Sequence, residues 1–182
     1  LGFSYWQGPI MKRSRSRLLP ALGLSGPKVL CLVTLPTKDG WTAMPGVLLK
    51  YRKAIGAGHI QIFTEIKKKH SSHAATADIT LSETAIAAEF FLSDGFIVTG
   101  HSTGHEADVE EVGQVKNATA LPVIIGSGIT VENLPVYWPY ADAFIVGSSL
   151  KKDGLWFNPP DEGRISELMK QVGVLKKKIL RN

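Results

Sequence analysis

Two apolar runs that each end in glycine and serine constrain this chain most: LPVIIGSGIT from Leu121 to Thr130, and AFIVGSS from Ala143 to Ser149. A short apolar run bounded by turn residues reads as a strand buried on both faces. Thr130 then suits the N-cap of a short helix over 131 to about 140. A buried strand, a Gly-Ser turn and a helix start together leave backbone N–H groups free at the strand's C-terminal end, which suits a phosphate. Two such turns on consecutive strands match the last two strand-to-helix loops of a (β/α)8 barrel, where such barrels place phosphate groups. For either turn alone, tight turning explains the glycines. The pair favours an anion, with Gly126, Ser127, Gly128, Gly147, Ser148 and Ser149 as the phosphate-binding candidates.

The chain before these runs keeps the same rhythm. Pro45 stands at the first turn of an expected helix on which Val47, Leu48, Tyr51 and Ile55 recur at helical spacing, and Gly56 ends it. Residues 59–66 read as a strand. Thr80 and Glu83 form a capping box that opens a helix to about Ser93. A strand over 95–100 and a helix over 107–120 with early acids follow. After the strand 143–147, Asp161 caps a last helix that runs into Lys176, Lys177 and Lys178. Strict alternation of strands and helices gives a parallel sheet with right-handed crossovers. The fold class is α/β, a partial (β/α)8 TIM-type barrel.

Residues 1–38 differ from the rest. Asp39 is the first acid, while Lys12, Arg13, Arg15 and Arg17 cluster with Ser14 and Ser16. A basic, serine-bearing, acid-free stretch is compatible with a transit peptide, and equally with a divergent or disordered end. The locations expected are therefore cytoplasmic or mitochondrial. Within this leader, 29–35 offers one further buried strand. The remainder, 39–182, forms the barrel domain. The single cysteine, Cys31, excludes an internal disulfide and a cysteine zinc site. Glu89 and Asp94 interrupt the apolar stretch 85–98, so no membrane span is expected. The net charge of +5 gathers at the two ends without aromatic residues interleaved in a basic stripe, so nucleic acid is not an expected partner.

Several segments together carry a family resemblance. They are Tyr51-Arg-Lys, Ile62-Phe63, Lys67-Lys-Lys-His70, Val98-Thr-Gly100 with Thr103-Gly104, Gly126-Ser-Gly128, and Val146 through Gly154. In this order they resemble the BtpA family, from about Gly40 to Gln171. That family is linked by name to photosystem I biogenesis in cyanobacteria. The resemblance implies a ribulose-phosphate-binding type of barrel, of which this chain carries the second half only. It brings no established catalytic residues.

The strand ends supply chemistry on physical grounds. Side chains alternate along 60–66: with Ile60, Ile62 and Ile66 toward the helices, Phe63, Glu65 and Lys67 face inward. Glu65 and Lys67 then border the barrel mouth. A lysine there neutralises a phosphate, transfers a proton or forms a Schiff base. A carboxylate moves a proton or holds a metal. A buried Glu–Lys pair serving packing alone is the other reading. His70, in the family-like segment, completes the catalytic candidates Glu65, Lys67 and His70. His73, His101 and His105 read as solvated loop residues, and no complete metal-ligand set is visible. The pattern Gly100-His-Ser-Thr-Gly104 matches a nucleophile elbow, but such an elbow needs an acid and then a histidine downstream, and the only histidine after Ser102 is His105, inside the same loop. No P-loop and no cofactor motif is present.

Two function classes follow. One is a barrel that binds a small phosphorylated ligand at its C-terminal strand ends, with an undefined reaction. The other is a non-catalytic assembly or stability factor for a membrane protein complex, or an inactive truncated product. Eight strands close such a barrel, and the four clear ones plus 29–35 do not. A half barrel exposes two sheet edges and an inner face lined by Phe63, Ile124 and Val146. The expectation is a chain that is not a stable monomer: either a homodimer completing the barrel, or an aggregation-prone product.

Overall fold

The computed structural model describes residues 10–11, 31–34, 45–66, 78–100 and 104–179. The strands are β1 (Ile10–Met11), β2 (Cys31–Thr34), β3 (Ile62–Glu65), β4 (Gly95–Thr99), β5 (Val123–Gly126) and β6 (Ala143–Ile145). The helices are α1 (Pro45–Ala54), α2 (Leu81–Phe90), α3 (Val109–Ala118), α4 (Leu134–Tyr137) and α5 (Glu162–Ile179). All six strands join one sheet in the order β1-β6-β5-β4-β3-β2. From β2 to β6 each strand lies parallel beside the next one in sequence. Such a sheet never reverses its direction of winding, so right-handed crossovers return on one face only.

The packing agrees with that topology. Phe96, Val98, Val123, Ile125, Phe144 and Val146 pack with Ala85, Val112, Val115, Leu134, Tyr137, Leu168 and Val172 of the helices. The opposite face gathers Phe63, Ile97, Ile124 and Ala143, with Ile145 against them, all from strands. One helix-covered face and one strand-only face make this sheet an arc of a (β/α)8 barrel. The expected strand 29–35 contains β2, which pairs with β3 from Cys31↔Ile62 to Thr34↔Glu65.

Local chemistry sets the element ends. Thr80 caps α2 through a full capping box: its hydroxyl takes the Glu83 N–H, and the Glu83 carboxylate takes the Thr80 N–H at 2.8 Å. Asp108 caps α3 by accepting from Glu110 and Glu111. Asp161 accepts the Arg164 N–H at 3.1 Å and so opens α5. At the far end of α1, Gly56 takes a left-handed φ of 68° while Ala57 N–H reaches back to the Arg52 carbonyl. That is a Schellman closure with its preferred residue.

The structure departs from the sequence expectations in several places. Val146 packs with the helices, because Phe144 and Val146 share one face and Ile145 takes the other. The inner face is not bare: Phe63 and Ile124 are 0% and 2% exposed. One sheet edge lies further out than expected, since β1 pairs antiparallel with β6 through Ile10↔Phe144 and Met11↔Ala143 and ends the sheet there in a strand of two residues. Helix α1 does not bury the expected stripe. Val47, Tyr51 and Ile55 are exposed, while Leu48 and Leu49 are half-buried and line a cleft with Ile62, Thr64, Phe91, Leu92 and Ser93.

Candidate functional site

The C-terminal ends of β3, β4, β5 and β6 share one rim of the arc, as parallel pairing requires. Below the rim lies an apolar floor of Phe63, Ile97, Ile124 and Ala143. On the rim, Glu65 ends β3 and is 9% exposed, and Thr99 ends β4 and is 5% exposed. Thr99 Oγ1 donates to Glu65 Oε1 at 2.8 Å. In register, Glu65 stands opposite Ile97 and Thr99 opposite Gly126. Gly126 is the third member. A Cβ there would meet Ile97 Cγ2 at 2.9 Å and Thr99 Cγ2 at 3.0 Å. Glycine is therefore required for the neighbouring strand to pack, whatever else the turn does.

The two Gly-Ser turns are adjacent. Gly126 is the register partner of Ile145, and the Ser127 N–H donates to the Ile145 carbonyl at 3.2 Å. Ser149 Oγ donates to the Ile129 carbonyl at 2.6 Å, which ties the second turn to the first. Ser127 is held at φ 80° and Gly128 at φ 69°, two left-handed residues in succession. A serine in that region is costly, by about 1–2 kcal/mol. Gly128 is fixed by close approach, since a Cβ would stand 2.6 Å from the His105 carbonyl oxygen and 2.7 Å from Glu106 Cα. Gly147 differs: a Cβ there would meet nothing within 4 Å.

Helix capping at these turns is weaker than the sequence suggests. Thr130 does not open a helix of useful length. Helix α4 has four residues with Asn133 as its N-cap, and Thr130 and Asn133 hold a preceding turn by reciprocal side-chain bonds. The Thr130 hydroxyl also lowers the Glu132 carboxyl below the ordinary glutamate range. After β6, Ser148–Leu150 forms a single 3-10 turn, closed by the Leu150 N–H on the Gly147 carbonyl. The Ser127 N–H is engaged in the sheet. The N–H groups left at the second turn are those of Gly147, Ser148 and Ser149, which have no backbone partner among the described residues.

Behind the rim, Tyr137 anchors the loop that follows β4. Its hydroxyl donates to the Ala107 carbonyl at 2.5 Å. Burial, then the nearby Glu106 carboxylate, pushes the phenol up to about 12. Tyr137 thus stays a neutral donor at any physiological pH.

Of the residues singled out by sequence, the structure brings together Glu65, the turn 126–128 and the turn 147–149 on one rim. Lys67, His70, His73, His101 and the serine of the elbow-like pattern, Ser102, lie outside the described residues. Among the described residues, no cluster of histidine, cysteine, aspartate and glutamate has a metal-binding arrangement. Nor is any helix among them long and apolar enough to cross a membrane. Thr99 escaped the sequence reading, although its position was readable. It lies two residues after Ile97 on the same strand face, at the strand's last position.

A singly wound parallel sheet with helices on one face and a polar rim over an apolar floor defines a partial (β/α)8 barrel. The chain belongs to the BtpA family, whose model matches residues 28–173. It is 47% identical over 140 residues to an uncharacterised mitochondrial protein of Caenorhabditis elegans, covering 76% of this chain and 50% of the worm protein. It is 35% identical to an uncharacterised protein of Methanocaldococcus jannaschii, covering 71% of this chain and 48% of that one. The photosystem I biogenesis protein BtpA of Synechocystis is 32% identical, with 69% and 43% covered. The chain spans about half the length of the curated relatives it matches. Among solved structures it is similar to dihydrodipicolinate synthase from Aquifex aeolicus, at TM-score 0.44 and 14% identity, covering 79% of this chain and 59% of that one. The YdjI aldolase from Escherichia coli gives TM-score 0.42 at 14% identity, covering 82% and 58%.

Proposed function

We propose that the rim binds a small phosphorylated ligand. Its phosphate sits on the turns Gly126-Ser127-Gly128 and Gly147-Ser148-Ser149, and Glu65, Lys67 and His70 are the catalytic candidates. The observation that carries this reading is the bond from Ser149 Oγ to the Ile129 carbonyl, which ties the two turns together at one sheet end. Backbone N–H groups at such turns favour anions without needing a cation. The buried Glu65 lies on the same rim and offers a proton acceptor beside the ligand. The test is a titration of 15N-labelled protein with inorganic phosphate. The amides of 126–128 and 147–149 shift together, and Gly147→Leu loses the response. Amides that stay in place at millimolar phosphate sink the reading.

A second reading has its own support. The run Phe90, Phe91 and Leu92 is exposed, as are Trp156 and Phe157. Consecutive exposed apolar residues mark interaction surfaces. With the name of the Synechocystis relative, a photosystem I biogenesis protein, they support a non-catalytic assembly factor. Pull-down of a membrane protein complex that is lost in Phe90→Ser/Phe91→Ser favours this reading over ligand binding. For location, the basic leader and the mitochondrial name of the worm relative support mitochondrial import, with the cytoplasm as the alternative.

A further inference from the structure

We propose that Thr99 is the positioning residue of the Glu65 carboxylate, fixing Oε1 so that Oε2 is the oxygen that meets a bound ligand. This rests on the reading of the rim as a phosphorylated-ligand site. The arrangement spans three neighbouring strands. Glu65 on β3 is opposite Ile97 on β4, so Thr99 stands one pleat beyond it on the same face. Its hydroxyl reaches diagonally back to Oε1 at 2.8 Å. Both side chains are buried, so water competes little for the bond and the carboxylate cannot wander. On the third strand, the missing Cβ of Gly126 leaves the room that the Thr99 methyl fills. With the methyl held toward β5, the hydroxyl is left on the β3 side. Among the described residues, Thr99 is the side-chain hydrogen-bond partner of Glu65.

This assembly defines the ligand's shape. Adjacent strands are about 4.8 Å apart, so the β3 end and the turn after β5 are separated by roughly 10 Å along the sheet. The ligand carries its phosphate at one end and an acidic C–H or O–H toward the other. In the step, the proton moves to Oε2, the bonding pair stays on the ligand, and the same oxygen returns the proton to the product.

The test uses the whole chain labelled with 13C at glutamate carboxyls, at one fixed pH, with the Glu65 signal assigned by its loss in Glu65→Gln. Thr99→Val keeps the methyl over Gly126 and removes the hydroxyl. We expect the Glu65 signal to move in Thr99→Val and to return to its original place in Thr99→Ser. Dihydroxyacetone phosphate is the probe. It shifts the Glu65 signal in the parent chain and in Thr99→Ser, and the shift is lost in Thr99→Val while the turn amides still respond to inorganic phosphate. A merely structural threonine would leave the probe response intact. If Thr99→Val melts early, Thr99→Ala, which also lacks the hydroxyl and adds no bulk, reads the same signal. A Glu65 signal unmoved in Thr99→Val and in Thr99→Ala overturns the positioning role. A parent chain whose turn amides ignore phosphate, while Thr99→Val still moves the Glu65 signal, overturns the phosphorylated-ligand reading instead.

Discussion

Asp94 and Arg52 meet at 2.7 Å, and the same carboxylate oxygen accepts the Ile62 N–H at 2.8 Å. The arrangement recurs two strands away. Asp142 Oδ2 accepts Lys116 Nζ at 2.5 Å and the Val123 N–H at 2.9 Å. In each case an aspartate just before one strand holds the first N–H of the preceding strand, and the cation beside it comes from the helix that leads into that preceding strand. The sequence carries the repeat as Asp94-Gly-Phe-Ile-Val and Asp142-Ala-Phe-Ile-Val. These clamps sit at the N-terminal strand ends, away from the rim.

Each clamp is therefore expected to serve stability and not binding. Asp94→Ala and Asp142→Ala lower stability by about 1–3 kcal/mol each, the worth of a hydrogen bond to a charged group. Asp94→Asn retains an acceptor for Ile62 and loses less. Urea denaturation reads the difference, and phosphate binding by the variants at low temperature stays unchanged. Equal losses in Asp94→Ala and Asp94→Asn would assign the whole effect to the ion pair.

Leu92 closes α2 as Gly56 closes α1. Ser93 N–H reaches the Ala88 carbonyl and Leu92 N–H the Glu89 carbonyl, with Leu92 at φ 66°. Leucine there carries the left-handed penalty that glycine avoids. Leu92→Gly raises stability by about 1 kcal/mol, seen as a higher urea midpoint at unchanged slope. A lower midpoint would mean that Leu92 contributes more to its cleft than its backbone costs.

The Thr80 hydroxyl and N–H hold the Glu83 carboxyl below its ordinary value of 4.5. A carboxyl whose folded value is depressed adds stability above its unfolded value and loses it as pH falls through the folded one. Stability measured from pH 6 down through the carboxylate range therefore falls less steeply in Glu83→Gln than in the parent. Identical slopes would show that the capping box adds no pH dependence.

The glycines of the rim separate packing from ligand. Gly126→Ala and Gly128→Ala destabilise, because a Cβ meets Ile97 and Thr99 in one case and the 105–106 backbone in the other. Gly147→Ala is tolerated, since its Cβ enters open space. A bulkier Gly147→Leu keeps the melting temperature within a few degrees and abolishes phosphate response. Retained binding in that variant would move the second turn out of the site.

Oligomeric state is the remaining expectation. Val47, Tyr51 and Ile55 line up on α1, and Phe90, Phe91 and Leu92 follow at the end of α2, all exposed. Light scattering on the size-exclusion peak is expected to give twice the chain mass or larger. A monodisperse monomer with one cooperative melt would show that the arc is self-sufficient.

The sequence displayed the parallel alternation, the capping box at Thr80 and the two turns, because buried strands and caps are written in contiguous residues. The burial of Glu65 with Thr99 was half legible: strand parity put Glu65 inside, but its partner lies on another strand. The α1 stripe misled. Val47, Tyr51 and Ile55 have the spacing of a core face, yet periodicity cannot say which neighbour covers it. Likewise, Thr130 looks like a helix cap, and the proline-bearing segment after it yields only the four residues of α4.

The short strand β1 has a consequence for assembly. Joining sheets edge to edge without limit requires each molecule to present two unpaired margins, one to accept and one to offer. Ile10 and Met11, laid antiparallel along Phe144 and Ala143, end one margin in a strand of two residues, too short to template another chain. Among the described residues, the longer margin left is that of β2. Two chains meeting there use up both of their vacancies at once, and the growth of the sheet terminates at a pair instead of running on into a fibre.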